Sequence, residues 1–350
     1  MDLSGSYTSS FRLVRINTET WADELVLPGV SSAQIERNMT DEYPLLESGN
    51  YTMVWDSGEE FPNRWYRLEM LVTDAYGQHE RYEIATQRLM ASQGAINRGA
   101  SSLTLSGQSV LHPLSKRQMP VGRHVPKGVN GVEWVLDLFD ATVAPVIVDG
   151  SGFKVDEHYV FDPGTTYLRA VWDVLRLGDW CMQVDGHGII TLKPKPQTPS
   201  ISLDKTTRSL LLPGINYQYD ISDVPNHYVA IASDGSMSEV YNQNYPGSNT
   251  SVVAREGLVQ DYVDTAPVPI NGEGMYGYVR RRLEEESTVV RQYSYTRGYV
   301  DDVYPFDIVS AILPLEGIVG DLRVMSQSLA CGRGITVTET SGEEIKEYAR

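Results

Sequence analysis

Cysteine is nearly absent from this chain: Cys181 and Cys331 are the only two in 350 residues. Two cysteines so far apart build no disulfide framework, and they fit synthesis in a reducing compartment. Histidine is scarce too. His79, His112, His124, His158, His187 and His227 show no HxxxH or HExxH spacing, so no metal site is expected. Positive charge is in deficit, with 29 Lys and Arg against 46 Asp and Glu, a net charge of −17. Such a balance repels phosphates and anionic lipid, which excludes a tight nucleic-acid or membrane-surface binder but not DNA passing nearby. No apolar run approaches the roughly 20 residues of a membrane span. The N-terminus MDLSGSYTSS has neither the basic nor the apolar segment of a secretory signal, so a soluble protein made in the cytoplasm is expected. Phe and Trp number only six each.

Tyr, by contrast, occurs 21 times, alongside 30 Gly and 18 Pro. Tyr suits half-buried sheet faces and protein interfaces, because its ring is apolar and its tip can stay wet. Residues 1–112 read as all β: Phe11 to Ile16 alternates, and Tyr51–Trp55, Trp65–Val72, Tyr82–Ala85 and Leu103–Leu105 continue the style between Gly and Pro clusters. The Pro-rich, locally basic stretch 113–128 reads as a linker or exposed loop. Two helices follow. The first has Asn130 as its cap and Val132, Leu136, Phe139 and Val143 on one face. The second has Leu168, Val171, Trp172 and Leu175 on its apolar face, with Gly178 placed to stop it. Trp180 to Pro194 then reads as a hairpin turning at Asp185-Gly186-His187-Gly188. The segment 193–199 reads as a second, extended linker. Residues 201–350 return to β at Tyr228–Ala232, Val289–Tyr295, Ile308–Leu313, Arg323–Leu329 and Ile335–Thr340. They are interrupted by a helix over 278–286 and a long polar loop or small β insertion over 236–257. The tail 343–350 reads as polar.

Several residue sets imitate enzyme or ligand sites. Cys181, Asp185 and His187 resemble a cysteine-hydrolase trio. Yet Cys181 follows a helix C-terminus, the wrong pole for a thiolate, and His187 falls in a turn. Gly272-Glu273-Gly274-Met275-Tyr276-Gly277 matches GxGxxG, but the two prolines before it make a poor strand, so a flexible lead-in to a helix is expected. Asp301, Asp302 and Asp307 lack the spacing of a calcium loop. Arg280-Arg281-Arg282 before Glu284-Glu285-Glu286 reads as a solvated helix with i, i+4 ion pairs. A glycan or cell-wall hydrolase using Asp156, Glu157 and Asp162 is the enzymatic alternative, though no acid and base can be paired. A receptor- or carbohydrate-binding module with Tyr241 and Tyr245 as contacts is a third reading. The expectation is a protein with no catalytic, cofactor-binding or metal-binding residues and no cofactor.

Three ordered stretches together resemble the hub proteins of phage tail tips and baseplates, the family that includes siphophage minor tail proteins. They are the helix and hairpin from Thr165 to Pro194, the strand lead-in Ser222 to Val229, and the run from Tyr278 to Ala311 continued through Arg323 to Leu329. Leu25 to Ile35 also resembles the family's opening hairpin. The resemblance implies a mainly β fold with a smaller α+β insertion: two tube-type β-barrel domains, 1–115 and 201–350, flanking a helix-plus-hairpin domain, 116–200. It implies a homotrimer of pseudo-sixfold symmetry that continues the hexameric tail tube, adapts it to threefold tip proteins and forms part of the DNA channel. The implied partners are further copies of itself, distal tail and tail-tube proteins, the C-terminus of the tape measure protein, and tip or fibre proteins below. DNA would pass through the lumen without specific binding. The implied location is the virion tail tip, after synthesis in the host cytoplasm. Larger relatives carry C-terminal lysozyme, peptidase or receptor-binding modules. This chain ends at Arg350 without one, so no cell-wall-degrading role and a separate tip protein are expected. An acidic wall that repels DNA phosphates, and Tyr-rich intersubunit surfaces, fit that role.

Overall fold

Alternating apolar and polar residues set the strands of the N-terminal region, as period-two patterning requires when one sheet face is buried. The computed structural model describes residues 7–39, 45–54, 61, 63–74, 76–97, 100–203, 211–232, 234–265, 267, 274–313 and 318–349. The fold is mainly β with a smaller insertion of helices and a hairpin, as the sequence pattern predicts. It divides into two units: Met1–Ile215 with Ser294–Ser341, and Asn216–Tyr293 with Gly342–Arg350.

The first unit begins with β1 (Tyr7–Ile16), β2 (Asp23–Asn38), β3 (Leu46–Val54), β4 (Arg64–Asp74), β5 (His79–Asn97) and β6 (Ala100–Ser109). They pair in the order β1-β4-β5-β6-β3-β2, and β1 also pairs with β2, so this ring closes on itself. Leu13, Ile35, Leu68, Met70 and Leu105 point inward and are fully buried. Each contributes roughly 1.5–3 kcal/mol of apolar burial. The stretch Leu25 to Ile35 is not a hairpin, contrary to expectation. It lies within the single strand β2, and the hairpin turn is at 17–22, between β1 and β2. The Pro28-Gly29 pair marks a bulge, where the register slips between Phe11↔Val30 and Arg12↔Pro28. Gly29 takes φ +95° there, a left-handed conformation that glycine adopts without penalty.

The insertion comprises α1 (His112–Lys116), β7 (His124–Val125), α2 (Gly131–Leu136), β8 (Val146–Val148), β9 (Tyr159–Val160), α3 (Tyr167–Leu177), β10 (Trp180–Val184) and β11 (Ile190–Pro194). Segment 113–128 is therefore no free linker. Pro113 opens α1, a position that needs no N–H, and Leu114, Met119 and Val125 are buried. Asn130 caps α2 as expected, its Oδ1 accepting from Val132 N at 3.0 Å and Glu133 N at 3.4 Å. The helix ends earlier than its periodicity implies. A short 3₁₀ turn, Phe139–Ala141, replaces the last turns, and Val143 is exposed. Val132, Val135, Leu168, Val171, Leu175, Met182 and Leu192 share one core with Val14, Ile16 and Trp65 of the ring strands.

The chain continues with β12 (Ile201–Leu203), β13 (Leu211–Gln218), β14 (His227–Ile231), β15 (Met237–Tyr241), β16 (Asp261–Asp264), α4 (Met275–Glu286), β17 (Thr288–Gly298), β18 (Ile308–Leu313), β19 (Ile318–Cys331) and β20 (Ile335–Lys346). The long strand β19 pairs with β18 along Ile318–Arg323 and with β2 along Ser326–Cys331. The sheet then runs on from β2 through β19, β20, β17 and β13, with β12 beside β18, to make twelve strands. The chain passes between the two units within β13, β17 and β20.

In the second unit, the sheet order is β15-β14-β16. Tyr278, Val279 and Leu283 of α4 cover one face, packing on Tyr228, Ala230 and Val240. The tail is not simply polar and solvated. Glu347 is buried, and its carboxylate accepts from Tyr219 OH, from Ser248 Oγ at 2.9 Å and from Thr250 N at 3.1 Å. Burial alone would raise this carboxyl, but hydrogen bonds from Tyr219, Ser248 and Asn249 outweigh it and hold it below the usual range. No helix among the described residues is long and apolar enough to cross a membrane.

Candidate functional site at the hairpin tip and its buried charge network

Helix α3 delivers the hairpin. Thr166 Oγ1 caps it by accepting from Arg169 N at 3.2 Å. Gly178 ends it with φ −115°, so glycine is needed there for space, not for its dihedral: a Cβ would lie 2.1 Å from the Phe153 ring. Asp179 takes the left-handed turn instead, with φ 54°. β10 and β11 pair from Trp180↔Pro194 to Val184↔Ile190, as the sequence predicts. Asp185 Oδ1 accepts from Ile189 N at 2.8 Å and closes the turn.

The tip backbone is docked, while the His187 ring stays half exposed. Gly186 accepts at its carbonyl from Thr86 Oγ1 at 2.8 Å and donates its N–H to Tyr304 OH at 3.3 Å. Trp21 Nε1 donates to the His187 carbonyl at 2.9 Å. The flank is fastened too: Gln183 Nε2 donates to Pro305 O at 2.7 Å and to Asp307 Oδ1 at 3.0 Å. Lys193 Nζ faces Asp307 at 3.6 Å. Trp172 turns away from the insertion's own core to pack on Cys181 and on Phe306, whose φ of 78° is rare for so bulky a residue. The hairpin thus touches β5, the 17–22 turn and the 299–307 loop at once.

The enzyme-like trio does not assemble. Cys181 is opposite Lys193, three residues before the end of its strand, about 10 Å along it from the turn that carries His187. Burial pushes the Cys181 thiol up to about 12, so it is neither thiolate nor accessible. Cys331 is likewise buried and pushed up to about 12. Neither thiol is expected to react with a disulfide-exchange reagent near neutral pH until the chain is denatured. Rapid labelling of Cys181 in the native protein would reopen the nucleophile reading.

The other candidates do separate jobs. Asp301 accepts from Tyr299 OH at 2.8 Å, and Asp307 serves Gln183 and Tyr304 N. Asp156, Glu157 and Asp162 are exposed. Arg281 and Arg282 pair with Glu285 and Glu286 along α4, as the spacing predicts. Gly274 is the N-cap of α4, while 272–273 lie outside the described residues. Tyr241 stacks on His227, and Tyr245 packs beside Tyr348.

Sequence reasoning missed the buried charges. Arg37 of β2 donates from Nε to Glu47 Oε2 of β3 at 3.0 Å, and from Nη2 to the Ile84 carbonyl at 2.5 Å. Its guanidinium carbon lies 5.0 Å from the centre of the Tyr304 ring. Burial alone lowers the Arg37 pKa, but Glu47 together with Tyr304 and Tyr299 outweighs it and the net shift is upward. Gln327 of β19 links this pair to a second one. Its Oε1 accepts from Arg37 Nη1 at 3.4 Å, and its Nε2 donates to Glu339 Oε2 of β20 at 2.9 Å. Glu339 also accepts from Arg297 Nη2 at 2.6 Å and Tyr295 OH at 2.5 Å, both on β17. Such a dry ion-pair chain adds little net stability compared with apolar packing, but it specifies which strands meet. Chemically, the buried network binds strands together, while at the tip the half-exposed His187 ring faces Glu83 at 3.7 Å.

No protein-family model and no curated protein matches this chain. Among solved structures it is similar to a tail protein of Neisseria meningitidis, at 13% identity and TM-score 0.65 over 97% of each chain. It is also similar to a 43 kDa prophage tail protein of Shewanella oneidensis, at 10% identity and TM-score 0.65 over 97% of this chain and 98% of the other. A prophage tail protein of Listeria monocytogenes aligns at 10% identity and TM-score 0.52 over 95% and 94%. This chain has the tail-protein fold that those structures share.

Proposed function

We propose that this protein is a non-enzymatic structural component of a phage tail tip or baseplate. In this reading it is a homotrimeric hub that continues the tail tube with pseudo-sixfold symmetry, adapts it to threefold tip proteins and forms part of the DNA channel. The likeness to tail proteins over nearly the full length of each chain is the observation that carries it. The docked hairpin supports the reading, because its backbone and Gln183 hydrogen bonds tie it to β5, the 17–22 turn and the 299–307 loop. The two tube-type domains would be 1–115 and 201–350, with 116–200 inserted between them. The partners would be tail-tube and distal tail proteins, the tape measure protein and a tip or fibre protein. The net charge of −17 suits a lumen wall that DNA must slide past without sticking. Cryo-electron microscopy of the purified protein and of virions should reveal threefold rings and tip density of this shape. A stable monomer that never enters a particle would sink the reading.

A further inference from the structure

We propose that the outward face of β6, β3, β2, β19 and β20 is the wall past which duplex DNA slides, given the hub function proposed above, on which this rests. These strands follow one another in the large sheet, and the segments concerned, 102–108, 48–52, 32–38, 326–330 and 336–340, all belong to the first unit. Their inward residues, among them Ile35, Tyr51, Leu105, Leu329 and Val337, share one core, so the alternate residues share the opposite face. The ladders align that face into rows. Thr52 stands between Ser32 and Thr104, and Asn50 between Gln34 and Ser106. Across β2, Ser328 is opposite Glu36, and β20 continues the face with Thr336, Thr338 and Thr340.

Every outward residue in these segments is Ser, Thr, Asn or Gln, except Glu36 and Ala330, and none is Lys or Arg. Glu36 is itself engaged, accepting from Gln34 Nε2 at 2.6 Å and from Ser328 Oγ at 2.8 Å. The cation of β2, Arg37, falls in the inward phase. Solvent-facing sheets ordinarily mix Lys with Glu, and the ring's other strands do so: Arg12 pairs with Glu69, Arg67 with Asp23 and Arg81 with Glu83. The cation-free face ends at Arg88 of β5, opposite Gln108, and at Arg333 between β19 and β20. Duplex DNA is held without sequence preference when Lys and Arg displace its condensed counterions. A face lacking both releases no counterions and gives no such hold. Its hydroxyls and amides exchange hydrogen bonds with water and with passing phosphates at little net gain, so no position along the DNA is favoured. The net charge of −17 is therefore carried elsewhere on the chain, and this face contributes the absence of attraction.

DNA release from particles assembled with full-length variants tests this. Asn50→Lys, Thr104→Lys and Thr338→Lys together place cations at three exposed positions of the face. Release, followed by dye fluorescence from single particles, should slow roughly tenfold or more, and added salt should restore the rate by screening the new contacts. Glutamate at the same three positions should produce no slowing that salt relieves. A control with Thr18→Lys, Gln243→Lys and Asn244→Lys, exposed positions off the face, should release DNA at the unaltered rate. Mass spectrometry of the particles shows which variants are incorporated. If the lysine triple fails to enter particles, Thr104→Lys alone decides, with slowing that salt relieves as the expected result. An incorporated face variant that releases DNA at the unaltered rate, or no more slowly than the control, overturns this proposal and leaves the hub reading standing. Absence of the unsubstituted chain from particles sinks the hub reading and this proposal together.

Discussion

Replacing Glu339 with alanine should destabilise the first unit by about 3–5 kcal/mol, the usual cost of breaking a buried ion pair from one side. Glu339 is fully buried and receives Arg297, Tyr295 and Gln327 on its two oxygens. Its loss strands the Arg297 guanidinium, 1% exposed, with the Gly298 carbonyl as its remaining acceptor among the bonds described. The large effect is thus the penalty of an uncompensated charge, not the net worth of the pair. Urea unfolding followed by circular dichroism measures it. A loss below about 1 kcal/mol would show that water or rearrangement satisfies Arg297, and that the network is not dry. Replacing Arg297 and Glu339 together with apolar residues of similar volume should cost much less than Glu339→Ala alone.

Gly186→Ala should be the second large effect. A Cβ at Gly186 would lie 1.8 Å from the Glu83 carbonyl oxygen, which is backbone and cannot swing away as a side chain does. Overpacking of this kind costs about 1–3 kcal/mol. Lifting the tip also loses the Thr86 and Trp21 hydrogen bonds, at about 1 kcal/mol each. The Trp21 near-ultraviolet dichroism should diminish, and proteolysis within the insertion should accelerate. Gly274→Ala is the control, since its Cβ meets nothing within 4 Å. Equal stability of the two variants would mean that the tip is not seated on β5.

Much of this was legible in the residues because local rules decided it. The Asn130 cap, the face of α3 and the Asp185 turn each depend on neighbours in sequence. The β2 bend was not legible, because Pro28-Gly29 serves equally in a turn and in a bulge, and only pairing with β1 and β3 selects the bulge. Segment 113–128 misled because its prolines and basic residues imitate a linker, while burial of Leu114, Met119 and Val125 is decided by the distant α3 region. The buried charges had a signal that propensity overlooks. Arg37 follows Ala33 and Ile35 in the inward phase of β2, Glu47 precedes Tyr51 and Met53 in β3, and Glu339 follows Ile335 and Val337 in β20. A charge in the apolar phase of a strand marks a partner elsewhere, although the sequence does not say which. Glu347, beyond the end of β20, carries no such phase signal, and its partners lie about a hundred residues away.

The seam between β2 and β19 limits how the first unit can move. It joins the closed ring to the remaining strands through the ladder Ala33–Asn38 with Cys331–Ser326, extended by Met39 N to Met325 O at 3.1 Å. A backbone ladder of this kind has no pivot, since opening it exposes donors and acceptors along its whole length. Swinging the two strand sets apart would break the ladder and the Arg37–Gln327–Glu339 chain that lies behind it. Any opening of the closed ring away from the strands beyond β19 would therefore have to break backbone hydrogen bonds along the whole seam, so this part of the first unit moves as one piece.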